Sequence, residues 1–400
     1  MARLAINGGT AAVSGLRTEW PVRGELEREH LLDVLDSGRW CSMGHDGSKV
    51  VAAMEVFREW IGTRRAIACT SGTSALELAL RACGIQHGDE IIVPAATFYA
   101  SASAIVMAGG VPVFADIDPD TYQISAEAAE AAVTDKTAGI MPVHYGGYPA
   151  DMDAINALAE RRGLFVVEDC AEAHGSEWKG AKVGSLGSVG AFSFQMGKPL
   201  TAGEGGAITF NDDAYSISQY QYGRTRPSAE GSDESYHVAC GNFRMSEFVG
   251  AILLSQMSRV REQTEARWIN GEYLAEELAK IDGVSALKRD PRVTKRGYYF
   301  YFIRYDESAW DGVSRNRFME ALRAEGVHCG TAHNDPVYEY GAFKDMPARQ
   351  GVEVHCPVTE RVYETEVVAL GKDFLMYREN IDAVVGAIQK LRDHAGDLLA

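Results

Sequence analysis

The chain has 400 residues, of which 46% are hydrophobic and 24% charged, and a formal net charge of −17. This composition excludes a disordered scaffold or a fibrous repeat and predicts a soluble globular protein of two or three domains. The acidic balance, with no run of Lys and Arg to offset it, predicts no nucleic-acid partner, although a helix N-terminus can still hold an anionic group inside an acidic protein.

The opening Met-Ala-Arg-Leu-Ala-Ile-Asn-Gly-Gly holds no apolar stretch of secretory length, and the seven cysteines are odd in number and never spaced as CxxC. Free thiols in a reducing, cytoplasmic setting are expected. Short β-branched runs follow at 65–69, 90–93, 111–117, 138–144, 164–169, 189–194 and 206–210, with helical patterns between them. This alternation predicts an α/β domain with a mostly parallel sheet covered by helices, and ligands gathering at the carboxyl ends of the strands. Residues 91–115 carry no charge and are long enough to span a bilayer. Pro94, Gly109, Gly110 and Pro112 divide them, however, so they read as strand, loop, small-residue helix and strand, and no membrane span is expected.

From residue 246 to about 281 the pattern is helical, with Phe248, Ile252, Leu253, Met257 and Val260 spaced to share a face. It reads as a link into a smaller C-terminal α+β domain with a strand at 298–305, a helix near 315–325 and a terminal helix from 381 to about 394. The expected division is 1–250, a large domain with an N-terminal arm, and 251–400, the linking helix and small domain.

Three stretches carry chemistry. In Cys69-Thr-Ser-Gly-Thr-Ser a turn opens a helix after a strand, so the N–H groups of Gly72 and Thr73 can hold a phosphate, although such turns are more often plain N-caps. Asp169 ends the apolar strand Leu164-Phe-Val-Val-Glu-Asp, where a carboxylate needs a partner; a protonated pyridine nitrogen is one, and capping of a following helix is the alternative. In Phe192-Ser-Phe-Gln-Met-Gly-Lys the side chain of Lys198 sits in a largely uncharged loop closed by Gly203, Gly205 and Gly206; a lone Lys is usually solvated, but a desolvated one can form Schiff bases. His144 and His174 fall at strand ends without carboxylate or Cys spacing and read as structural or pocket-lining, with no metal site. The cluster Tyr220, Tyr222, Arg224 and Arg226 reads equally as a seat for a donor carboxylate or as a solvated loop.

Taken together, SGTxAL, the strand ending in Glu-Asp, SFxxxK followed by GEGG, and Gly241-Asn-Phe-Arg-Met-Ser-Glu resemble the DegT/DnrJ/EryC1/StrS family of sugar and cyclitol aminotransferases. The motifs stand in that family's order over roughly residues 65–250, and Leu4-Ala-Ile-Asn-Gly-Gly also looks like a common opening of its members. The resemblance implies the type I fold of pyridoxal 5'-phosphate (PLP) transferases, with Lys198 bearing the cofactor and Asp169 pairing with its ring nitrogen. It implies that Ser193, Gly72 and Thr73 hold the phosphate, that Phe98 stacks on the ring, and that Asn242 reaches the phosphate of a neighbouring subunit in a homodimer with shared sites. It further implies glutamate or glutamine as donor and a ketone as acceptor.

Two positions depart from the family pattern. Glu172 stands where Gln, sometimes His, approaches the ring hydroxyl; it could act there as an ionised carboxylate or as a protonated one that donates as Gln does, and the alternative is that it points away to cap a helix. Gln195 replaces the His common in nucleotide-sugar members, which favours a cyclitol or unactivated sugar as acceptor. A nucleotide-linked ketosugar and an aromatising, aminodehydroquinate-type synthesis are the alternatives. Family dehydratases lack the lysine, and a regulator without turnover fits poorly with Lys198 and Asp169 both present.

Overall fold

The computed structural model describes residues 3–42, 46–215, 217, 239–346 and 354–399. Tyr220, Tyr222, Arg224 and Arg226 lie outside the described residues. The first half of the chain forms β1 (Arg65–Cys69), β2 (Glu90–Pro94), β3 (Val111–Ala115), β4 (Thr137–Ile140), β5 (Phe165–Asp169), a short hairpin of β6 (Glu177–Trp178) and β7 (Ala181–Lys182), β8 (Val189–Ser193) and β9 (Gly206–Phe210). All but the hairpin join one sheet in the order β1-β9-β8-β5-β4-β2-β3. The chain starts at one edge, crosses to β2 and β3 at the other, and walks back strand by strand.

The sheet is parallel except for β9, which runs antiparallel to both its neighbours. Every residue of β8 and β9 is buried, as central strands covered on both faces require. The pleat sends Ile91 and Val93 to one face, where they pack with Leu78, Leu80 and Ile208, and Ile92 to the other, where it meets Ile140, Ile155 and Val166. Residues 91–115 resolve into the end of β2, the helix Ala100–Met107 and β3, and no helix among the described residues is long and apolar enough to cross a membrane.

The link is two helices rather than one, Glu247–Met257 and Val260–Leu278. Leu253, Met257 and Val260 are buried as the spacing predicts, but Phe248 and Ile252 are only half-buried, because Gly250 and Ala251 take the inward face against the earlier helices. Beyond them β10 (Val284–Ala286), β12 (Phe300–Tyr305) and β13 (Val367–Gly371) form an antiparallel sheet, while β11 (Val293–Lys295) pairs with β6 and stitches the two halves together. Leu4 and Val13, grouped with the large domain on sequence, pack instead with Ile303, Leu322, Val368 and Ile388 of the C-terminal half. The buried Glu325 carboxylate draws that arm in, accepting the Ala5 and Ala12 N–H groups at 2.8 and 2.7 Å and pairing with Lys390.

Candidate active site

Register assembles the first part of the site. Cys69 of β1 and Ser193 of β8 both face Gly206 of β9, so the ends of two parallel strands lie side by side with one strand between them. Gly206 must lack a side chain, because a Cβ there would lie 2.3 Å from the Ser71 carbonyl. Ser71 caps the helix Gly72–Ala82: its Oγ accepts the Ser74 N–H at 3.1 Å, and Ser74 Oγ accepts the Ser71 N–H at 3.0 Å. The N–H groups of Gly72 and Thr73 follow in the first turn, where a helix has no carbonyl of its own to offer and its dipole is positive. A Cβ on Gly72 would fall 2.6 Å from the Ser193 Cβ, so glycine is what lets this turn close on the Ser193 hydroxyl.

Asp169, at the end of β5, is 5% exposed. Its Oδ2 accepts from Ser101 Oγ at 2.7 Å and its Oδ1 from the Ala171 N–H at 3.1 Å. Ser101 directs its one hydroxyl hydrogen to the carboxylate, so Thr97 Oγ1, 2.8 Å away, donates to Ser101 in turn. Burial raises the Asp169 pKa, while Ser101, the Ala171 N–H and the charge of Lys198 oppose the rise.

The preceding residue behaves differently. Glu168 accepts the Leu186 and Gly187 N–H groups on Oε1 at 2.8 and 2.6 Å, and the Gly184 N–H and His144 Nε2 on Oε2 at 2.8 and 3.0 Å. His144 Nδ1 accepts the Ala150 N–H, which leaves the ring hydrogen on Nε2. The fold thus gathers His144, Glu168 and Cys170, a grouping that their sequence spacing does not reveal. All four acceptor positions of Glu168 are filled by N–H donors, and burial pushes the Cys170 thiol well up, so the group is a structural network. His174 is buried against Phe192 and Phe194, and burial lowers its pKa to about 3.

Lys198 lies in the loop from β8 to β9, with a side chain 11% exposed. Its Nζ is 3.4 Å from Glu172 Oε1 and 4.0 Å above the Tyr299 ring. Glu172 points inward to the lysine, and its Oε2 accepts the Gly146 N–H, in the short 3-10 turn Tyr145–Gly147, at 2.9 Å. His333 Nε2 comes within 4.0 Å of Glu172 Oε1, and its ring lies 5.5 Å from Phe98 and 5.6 Å from Tyr145. Burial lowers the His333 pKa, with Glu172 opposing. Gln195 turns back on its own loop, Oε1 accepting the Gly197 N–H at 2.7 Å.

Gly72, Thr73, Phe98, Asp169, Glu172, Ser193 and Lys198 line a single cavity of about 390 Å³, with Phe98 forming a 45% exposed wall. Asn242 stands outside it, exposed, its Oδ1 accepting the Arg244 N–H at 3.3 Å. Ser101, Tyr299 and the Gly146 N–H are contributors that sequence reasoning misses. The Thr97 to Ser101 spacing, one helical turn in a stretch without charge, is the signal that could have disclosed the first. A larger cleft of about 630 Å³ around Asp120, Asp151 and Arg292 holds cations already paired, Lys288 with Asp120 at 2.8 Å and Arg292 with Asp151 at 2.9 Å.

Lys198 and the buried Asp169 face one cavity beside the first-turn N–H groups of Gly72 and Thr73, at the carboxyl ends of a mostly parallel sheet, where ligands of such sheets gather. The chain belongs to the DegT/DnrJ/EryC1/StrS aminotransferase family, whose model matches residues 21–389. It is 35% identical to a Micromonospora echinospora protein named as a candidate L-glutamine:3-amino-2,3-dideoxy-scyllo-inosose aminotransferase, over 99% of this chain and 98% of that one. It is 32% identical to the L-glutamine:scyllo-inosose aminotransferase of Streptomyces griseus, over 99% of each. The crystal structure of 3-amino-5-hydroxybenzoic acid synthase superposes with a TM-score of 0.85 at 32% identity, covering 95% of this chain and 100% of that one.

Proposed function

We propose that this aminotransferase uses PLP to move the amino group of L-glutamine to the ketone of an inosose-type cyclitol. The observation that carries the reading is Asp169 and Lys198 facing one cavity beside the Gly72, Thr73 and Ser193 cradle. The residues fit the cofactor: the cradle is open where a Cβ at Gly72 would close it, and Asp169 is a buried carboxylate with two donors that gains from a cationic partner. Bound there, PLP supplies the electron sink that lets a proton leave the donor carbon.

The chain's own groups do the rest. Asp169 would hold a protonated ring nitrogen, and Ser101 and Thr97 fix its carboxylate for that role. The Lys198 amine, resting on Tyr299, would take up the proton that leaves the donor carbon. Glu172, fixed by the Gly146 N–H, lies beside that amine, and Phe98 and His333 wall the cavity. Tyr299 and His333 come from the C-terminal half and the other walls from the N-terminal half, which supports a two-domain enzyme divided near residue 250 with its site at the junction. The exposed Asn242 serves a second copy of the chain, making a homodimer with shared sites, and cysteines outside disulfides suit the cytoplasm.

Charge favours a neutral or amino-bearing ring over the carboxylated substrate of an aromatising synthase. Among the described lining residues the basic groups are Lys198 and His333, set against Asp169, Glu172 and Glu204. The test supplies α-15N-glutamine with scyllo-inosose and follows 15N into the inosamine by mass spectrometry. Faster transfer to a nucleotide-linked ketosugar overturns the acceptor assignment, and glutamine that donates to no ketone overturns the donor.

A further inference from the structure

The main chain on both sides of Lys198 is gripped by side chains from distant elements. Two residues before it, the Met196 carbonyl accepts from Trp20 Nε1 at 2.8 Å. One residue after it, the Pro199 carbonyl accepts from Arg267 Nη2 at 3.3 Å. The same guanidinium donates through Nε to the Gly297 carbonyl at 3.3 Å. Gly297 lies two residues before Tyr299, whose ring supports the Lys198 amine. Arg267 therefore binds together the loop that carries the lysine and the segment that carries its platform.

The chemistry of this grip is unusual. Arg267 is 0% exposed, and its hydrogen-bond acceptors are two carbonyls and, at 3.8 Å, the Met376 sulfur. A buried guanidinium hydrogen-bonded to neutral acceptors is a poor stabilising device, because its desolvation exceeds what carbonyls return. Burial lowers its pKa to about 10. Lys372 completes the grouping: its amine pairs with Asp373 at 2.7 Å and lies 4.1 Å from the centre of the Trp20 ring that holds Met196. Arg's rigid fork spans the two carbonyls on separate segments and reaches the Met376 sulfur as well.

We propose that Arg267 is a positioning residue for the aminotransferase reaction, which with Trp20 forms a two-point strap that keeps the Lys198 amine registered on Tyr299. The inference rests on Lys198 being the lysine that bears the cofactor; turnover by Lys198→Ala would strike that assignment and leave the strap untouched. The test measures steady-state kinetics and backbone hydrogen exchange on the holoenzyme. In Arg267→Met, kcat falls about 20- to 100-fold, as expected for an ångström-scale misplacement, with the glutamine KM within about threefold. Exchange over residues 195–200 quickens at least about tenfold while β8 and β9 keep their protection, and Arg267→Lys regains part of kcat. Trp20→Phe removes only the outer donor and serves if Arg267→Met does not fold; it lowers kcat about three- to tenfold with the same local signature. A kcat within twofold of wild type, or exchange that quickens evenly across the sheet, overturns the proposal.

Discussion

Two consecutive carboxylates at the end of β5 meet opposite fates. Glu168 is 0% exposed and has four N–H donors, one for each acceptor position; Asp169 is 5% exposed, has two donors, and faces the cavity. The pleat puts them on opposite faces, so one is turned into the packed interior and the other toward the lysine. A buried carboxylate that is fully satisfied ties loops together. One left short of donors is available for a cation that arrives with a ligand.

The largest effect lies on the chemical side of this contrast. Lys198→Ala abolishes turnover, since no other amine among the described residues lines the cavity. Mixing it with Asn242→Asp subunits restores about a quarter of wild-type activity if the proposed dimer shares its sites, because half the dimers are mixed and each carries one intact site. Failure to recover activity with mixed dimers demonstrably present removes the shared-site arrangement.

Exchanging charge for amide at the two carboxylates separates them next. Asp169→Asn lowers kcat by about 100-fold or more and leaves the melting temperature unchanged or raised, because a neutral group there is easier to bury. Glu168→Gln does the reverse. Whichever way its amide turns, an NH2 group meets two N–H donors, so stability falls by about 2–4 kcal/mol while activity per folded molecule stays within a few-fold. Equal losses of stability in both variants would erase the distinction.

A buried cation extends the comparison. Lys372 is pushed from 10.5 down to about 8, first by burial and then by Arg267 and Lys198, against the pull of Asp373. Between those two values the unfolded chain holds a proton that the native state lacks, so this residue makes the native state gain stability as pH rises from about 8 to 10.5. Denaturant unfolding of wild type and Lys372→Met at pH 7.5 and 10 should show the wild type gaining relative to the variant, by about 1.4 kcal/mol for each unit of depression. A difference independent of pH contradicts it. The smallest effect belongs to Glu172→Gln: removing an anion beside the lysine makes the visible absorbance of the bound cofactor titrate at lower pH, and a move to higher pH refutes the electrostatic reading.

Much of this is legible in the sequence, for identifiable reasons. The sheet strands are short, largely apolar runs because most are covered on both faces; Asp169 and Ser193 sit at the ends of two of them, and Gly72 and Lys198 lie in the segments that follow strand ends. What stays hidden depends on partners remote in sequence. Nothing local marks β9 as the antiparallel strand, nor shows that Leu4 and Val13 pack with the C-terminal half. The same holds for the His144 and Glu168 pairing, for Ser101 under Asp169, and for Arg267, which reads as an ordinary charged helix residue until the loop it grips is placed. The break at Ser258 and Arg259 escapes the pattern because apolar spacing continues across it.

The insertion of β9 between β1 and β8 also sets an order of assembly. Strands β8 and β9 and the lysine loop between them form a local hairpin, whereas β1 must close a long loop to reach β9, at an entropic cost that grows with the logarithm of its length. The cradle spans that late contact, Gly72 from one side and Ser193 from the other, so it exists only in the completed sheet. A cofactor bound there acts by mass action on the last step of folding, adding about 2.7 kcal/mol when free ligand stands at 100 times its dissociation constant. Cells short of that cofactor are therefore expected to lose this protein to proteolysis before they lose its activity per molecule, with β1 as the first strand to open.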